Sequence, residues 1–178
     1  MSAVASTLIL YAAMLIVTYI SIGRPKSIKE ALSRVGFKDT NIEKQIALAI
    51  YYLVIMFIAT FAIEGALHYL GFAEDLSIVP RTLLKQNPLD LLILAMAAGF
   101  VEEIFFRGYL QRQTNIIFAS FMFALAHLGF GSISEVIGVF VLGIILGIEY
   151  KKSGSLFAPV LSHYLYDFIV LTAIFGIG

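Results

Sequence analysis

Six stretches of this chain are apolar for long enough to cross a lipid bilayer, and nothing else in the sequence constrains its fold as tightly. They lie at about 3–22, 45–70, 89–110, 115–130, 133–150 and 156–176. A hydrocarbon core ~30 Å thick takes about 20 residues of helix at ~1.5 Å per residue. The runs are continuous rather than alternating, and a bilayer admits only helices or closed barrels, so helices are expected. The fourth and fifth runs are short and meet at Gly129-Phe130-Gly131-Ser132, the composition of a tight helical hairpin. Composition agrees: 60% of the residues are hydrophobic and 13% charged, where a soluble domain carries roughly 25% charged. The sequence predicts an all-α polytopic membrane protein, a bundle of about six transmembrane helices forming a single transmembrane domain over residues 1–178.

Lys+Arg and Asp+Glu balance at 12 each, so net charge points to no nucleic-acid partner. The absence of cysteine excludes disulfides, thiolate metal ligands and a cysteine nucleophile. No Lys or Arg precedes the first run, which is also longer than the apolar region of a signal peptide, so a retained helix is expected there. The positive residues are distributed unevenly. Arg24, Lys26, Lys29, Arg34, Lys38, Lys44, Arg107, Arg112, Lys151 and Lys152 fall on one side of an alternating six-helix path, and Arg81 and Lys85 on the other. The positive-inside rule assigns the larger group to the cytoplasm and both termini to the outside, in the plasma membrane. The basic 23–44 segment reads as a cytoplasmic loop with one amphipathic stretch that touches anionic lipid. The 71–88 segment reads as an outer connection without evident chemistry.

Ionisable side chains inside a span are energetically costly and are functional candidates by default. The third run contains Glu102, Glu103 and Arg107, the fourth His127, the sixth His163 and Asp167. Glu103 and Arg107 are four apart, share a helix face and suit a supporting ion pair. Glu102 is rotated about 100° from Glu103 and points elsewhere in the bundle. His163 and Asp167 also share a face. At ~1.5 Å per residue Glu102, His163 and Asp167 lie near mid-membrane toward its inner side, and His127 computes nearer the outer side, about 18 Å from the cytoplasmic end; a start of its span a few residues later brings all four together. Glu64 reads as an interface residue, His68 as solvated, and Glu135 and Glu149 as helix-end residues, Glu135 suiting the first-turn dipole. The Phe and Leu stripes read as packing. Gly143 and Gly147 form a small-residue face suited to packing within or between chains.

This constellation contains the parts of a hydrolase. A buried Glu102 can take a proton from water, His127 can hold that water, and His163 with Asp167 can stabilise an oxyanion. The same four residues are acceptable zinc ligands, leaving one position for water, although the H-E-x-x-H signature is absent. Both mechanisms stay open on chemistry alone. So does a non-catalytic reading, in which the cluster is a proton or ion relay or the clamp of an immunity-type binding partner.

The strings Glu102-Glu103-x-x-x-Arg107, Phe123-x-x-x-His127 and His163-x-x-x-Asp167 resemble the three motifs of the CAAX protease and bacteriocin-processing (CPBP, or Abi) family, which includes type II CAAX prenyl endopeptidases. Arg107-Gly108-x-Leu110, Gly143-x-x-Leu146-Gly147 and Gly154-Ser155-Leu156-x-x-Pro159 resemble its flanking sequence, so the family-like core covers about 98–170. The resemblance implies an intramembrane endopeptidase acting on a peptide or lipidated protein near the cytoplasmic face. It assigns Glu102 and His127 to water activation, and His163 and Asp167 to the oxyanion hole. Members that cleave CAAX substrates usually carry Asn where this chain has Asp167, and an ionised Asp cannot donate to an oxyanion. Members are described both as metalloproteases and as glutamate-dependent proteases; the metal-free glutamate mechanism is the expectation favoured here.

Overall fold

The computed structural model describes residues 3–176, and every regular element among them is helical. Each of the six apolar runs forms helix: α1 (Ala3–Ser21), α3 (Ile42–Tyr69), α6 (Pro88–Glu102) with its continuation to 113, α8 (Ile116–Ala126), α9 (Ile133–Ser153) and α10 (Phe157–Gly176). Of these, α3, α9 and α10 are long and apolar enough to cross a membrane by themselves. Short helices fill the connections: α2 (Ile28–Val35), α4 (Ala73–Leu76), α5 (Ile78–Leu83) and α7 (Gln111–Gln113).

Local chemistry sets the helix starts. Asn41, Asn87, Asn115 and Ser132 each accept a backbone N–H from the first turn of α3, α6, α8 and α9, satisfying donors that have no intrahelical partner. Pro88 occupies the first position of α6, where its missing N–H does no harm. At 11 residues α8 spans only about 16 Å. It ends at His127, and a 3₁₀ turn (Leu128–Phe130) followed by Gly131 at φ 73° returns the chain into α9, which is the expected hairpin.

The connections gather at two ends of the bundle. At one end α2 is capped by Ser27 and closed by Gly36, as expected of the amphipathic stretch. There Leu156 N–H donates to Gly36 O at 3.1 Å, Gln45 Nε2 to Ser153 O at 3.0 Å, and Arg112 to Arg34 O. The 23–44 segment, the residues after Arg107 and the α9–α10 joint thus share one end. At the other end the 71–88 segment has a definite structural role. Asp75 accepts from Ser134 N at 2.7 Å, Ser132 Oγ at 2.9 Å and Ile133 N at 3.2 Å, anchoring the start of α9. Faces turned away from the bundle stay apolar, with Val54, Ile58 and Phe61 of α3 more than half exposed, as lipid-facing positions require.

Hydrogen bonding from Ser134, then from Ser132 and Ile133, lowers the Asp75 carboxyl to about 2. A depressed carboxylate stabilises the fold fully above its unfolded value of about 3.9 and loses that contribution as pH falls through its folded value. The melting temperatures of wild type and Asp75→Asn should therefore differ above about pH 4 and converge toward pH 2. A gap that stays constant over that range in detergent melts would contradict this role for the carboxylate.

Candidate active site

The site develops where α6 changes its winding. From Glu103 to Leu110 the backbone is π-helical, a rare form found mostly as short bulges and frequently at functional sites. Glu102 is the last α-helical residue and Glu103 the first π-helical one, and their carboxylates go separate ways. Glu103 is fully buried. Its Oε1 accepts from Arg107 Nη1 and from His163 Nδ1, both at 2.8 Å. Arg107 Nη2 donates to Gly143 O at 3.3 Å, and the guanidinium lies 4.4 Å from the centre of the Phe123 ring. Glu102 instead reaches a cavity, where its Oε1 accepts from Tyr11 Oη–H at 2.9 Å.

That cavity has a volume of about 420 Å³, and Glu102, His127, His163 and Asp167 all line it. The three motifs therefore meet on one space, with the Glu103–Arg107 pair packed behind its wall. His127 Nδ1 lies 2.9 Å from Phe123 O. A carbonyl only accepts, so Nδ1 carries the proton and Nε2 of the neutral ring is left as an acceptor. The same logic places a proton on Nδ1 of His163, facing the Glu103 carboxylate. His163 Nε2 is 3.5 Å from Asp167 Oδ2, an ion-pair distance longer than a good hydrogen bond.

The structure adds to the sequence reading of Glu103. It is more than the partner of Arg107, because one carboxylate oxygen holds both Arg107 and His163. Phe123 is more than packing. Its ring meets Arg107 face-on and the rings of His127 and His163 edge-on, at centroid distances of 4.8 and 5.9 Å. The four-residue spacing from Phe123 to His127 was the available signal. Glu149 is not a helix-end residue: α9 continues to Ser153, so Glu149 is fully buried and accepts from Ser162 Oγ at 2.7 Å, beside His163. Glu64 and Glu135 line the same cavity as Glu102, with Glu135 also in the first turn of α9 as expected. Tyr11 carried no signal beyond a hydroxyl in an apolar run.

Two glycines permit this geometry. A Cβ on Gly143 would come within 3.0 Å of Ser120 Cβ and 3.2 Å of Phe123 Cδ1, and one on Gly147 within 2.7 Å of Gln111 Oε1. Without side chains, α9 lies close against α8 and offers its carbonyls to Arg107 and, at 3.0 Å, to Gln111 Nε2. The small-residue face expected at these positions thus packs within the chain.

The cavity also extends toward α5 and the α8–α9 turn, where Val79, Pro80, Leu83 and Phe130 line it. This is the end opposite the basic 23–44 segment. His127 follows the last residue of α8 and stacks its ring on Phe130 there, at a centroid distance of 6.1 Å.

Among the described residues no three His, Asp or Glu side chains come together closely enough to hold a metal ion. His163 Nδ1 is bonded to Glu103 and Glu102 Oε1 to Tyr11, which leaves His163 Nε2 and Glu102 Oε2 outside these two bonds.

Because Tyr11 donates to a carboxylate, removing its hydroxyl should change how Glu102 is held. Tyr11→Phe should lower kcat about tenfold with KM nearly unchanged, the size of one hydrogen bond to a charged group. Equal kcat in the two proteins would separate Tyr11 from the chemistry.

Residues 84–169 match the family model for Rce1-like proteins, described as type II CAAX prenyl endopeptidase Rce1-like. The uncharacterized protein YpbD of Bacillus subtilis (strain 168) is 31% identical over 97 residues. That alignment covers 53% of this chain and 50% of YpbD, so the chain spans half the length of that relative. No solved structure matches.

Proposed function

We propose that the chain, whose residues 84–169 match the Rce1-like family model, is an intramembrane endopeptidase whose water is activated by Glu102 and His127. The observation that carries this reading is the convergence of Glu102, His127, His163 and Asp167 on one cavity inside an apolar bundle. Glu102 acts as general base toward a water that His127 Nε2 helps to hold. As water attacks the scissile carbonyl, negative charge develops on its oxygen. His163 can donate to that oxygen from Nε2 while Nδ1 donates to Glu103, provided the ring carries both protons. The buried Glu103 carboxylate makes that imidazolium tolerable in a low-dielectric site. Glu102 then passes the proton to the departing amine. The substrate is a membrane-delivered peptide, prenylated at its C-terminus in the reading the family supports. The distribution of Lys and Arg supports an N-out, C-out orientation.

Asp167 stands where CAAX-cleaving relatives carry Asn, and it sits beside His163 Nε2. In a metal-free oxyanion hole an amide donates at any pH, whereas Asp must first be protonated. The experiment measures cleavage of a fluorogenic prenylated peptide by purified wild type and Asp167→Asn, across pH and with a chelator. We expect wild type to cleave, chelator to have no effect, and Asp167→Asn to retain activity above pH 7. Chelator-reversible cleavage together with an inactive Asn variant would assign the site to metal chemistry. No cleavage of prenylated or unprenylated peptide would favour the relay or clamp reading.

A further inference from the structure

At the basic end, away from the catalytic cavity, the end of α1, α2, the π-helix and α7 enclose a second cavity of about 310 Å³. Its polar walls are Ser21, Ser33, Arg34, Tyr109, Arg112 and Gln113, and none of its lining residues is acidic. The two arginines differ in what they have left to give. Arg34 is committed, with Nη1 donating to Ile22 O at 2.5 Å and to Gly23 O at 3.4 Å, and Nη2 to Glu30 Oε1 at 2.5 Å. Arg112 engages only Nη1, with Arg34 O and with Gly108 O at 3.4 Å. Its Nη2 and Nε, and the hydroxyls of Ser21, Ser33 and Tyr109, make no hydrogen bond among the described residues. Glu30 pairs with Arg34, and among the described residues the charge of Arg112 has no carboxylate within ion-pair distance.

A positive, donor-rich hollow without a carboxylate suits an oxyanion, and a guanidinium fork matches phosphate in particular. Its place in the fold narrows the ligand further. The hollow opens where α1 leaves its apolar run. Just before it, Ile16 and Ile20 lie one helical turn apart on the same face, 58% and 53% exposed. A ligand with a phosphate in the hollow and hydrocarbon along α1 satisfies both surfaces. We propose that this cavity binds the phosphate of an anionic phospholipid, with Arg112 as its principal contact and an acyl chain along the Ile16–Ile20 face. A zwitterionic lipid is disfavoured, because no carboxylate lines the hollow to receive its ammonium. The site is separate from the proteolytic reading and stands or falls independently of it.

The test uses the full chain in detergent, with native mass spectrometry of retained lipid after mixing with phosphatidylglycerol or phosphatidylcholine. Wild type should retain phosphatidylglycerol in preference to phosphatidylcholine. Arg112→Gln should weaken that retention about fivefold to tenfold, as loss of one arginine at a membrane surface implies. Gln113→Glu, which breaks none of the contacts described, should weaken it as well by adding a negative charge to the rim. Arg81→Gln, at the other end of the bundle, should leave it unchanged. Equal retention of the two lipids, or equal loss in Arg81→Gln, would overturn the proposal. Displacement of phosphatidylglycerol by millimolar inorganic phosphate would show a phosphate site that does not select lipid, and would overturn the lipid assignment.

Discussion

Glu102→Gln should lower peptide cleavage by about 10²–10⁴-fold, the usual contribution of a general base, without unfolding the bundle. The substitution is nearly isosteric. Its remaining carbonyl oxygen can still accept from Tyr11, which now meets Glu102 Oε1 at 2.9 Å. What it removes is the ability to take a proton from water. The check is a turnover assay paired with a thermal melt in the same detergent. Loss of turnover with a parallel fall in melting temperature would instead mean that Glu102 is structural.

Glu103→Gln should behave in the opposite way and destabilise the protein by about 3–5 kcal/mol, because it leaves Arg107 buried without its anion. Arg107 keeps a neutral carbonyl at position 103, Gly143 O and the Phe123 ring, but its nearest carboxylate is gone and only the Glu102 and Glu149 charges act on it. Activity should fall as well, since the same carboxylate oxygen holds His163 Nδ1 at 2.8 Å. The two roles can be separated. Adding Arg107→Met to Glu103→Gln removes the stranded charge, and replacing a buried pair by apolar groups is often nearly neutral. The double variant should regain much of its melting temperature while staying poorly active, because His163 still lacks its carboxylate. Recovery of both together would reduce Glu103 to a purely structural partner.

The fold was legible because membrane spans are written redundantly, twenty or so apolar residues at a time. The third, fifth and sixth apolar runs cover 89–110, 133–150 and 156–176, and the helices run over Pro88–Leu110, Ile133–Ser153 and Phe157–Gly176. The placement of α8 was less legible: its apolar run continues to Phe130, but a 3₁₀ turn takes the last three residues. Hydropathy does not distinguish a helix from a tight turn made of Leu, Gly and Phe.

Within the site, contacts local in sequence were legible and distant ones were not. The Glu103–Arg107 pair follows from a four-residue spacing, and so does the proximity of His163 to Asp167. The bond from Glu103 to His163 joins residues 60 apart, and that from Tyr11 to Glu102 residues 91 apart. Nothing in one sequence fixes which helix faces meet. The π-helix was invisible for a related reason: it depends on how α6 packs, and EIFFRGYL reads as an ordinary helical string. Glu149 was misplaced by the three residues that separate the expected end of its helix from the real one.

Four carboxylates line the cavity of the candidate active site, those of Glu64, Glu102, Glu135 and Asp167, and the proposed mechanism gives the role of base to one of them. The most direct test compares wild type, Glu64→Gln, Glu102→Gln and Glu135→Gln in one proteoliposome assay of prenylated-peptide cleavage with chelator present. The account predicts that cleavage persists in wild type, Glu64→Gln and Glu135→Gln and disappears in Glu102→Gln. Cleavage that survives in Glu102→Gln, or disappears in Glu64→Gln or Glu135→Gln instead, would contradict it.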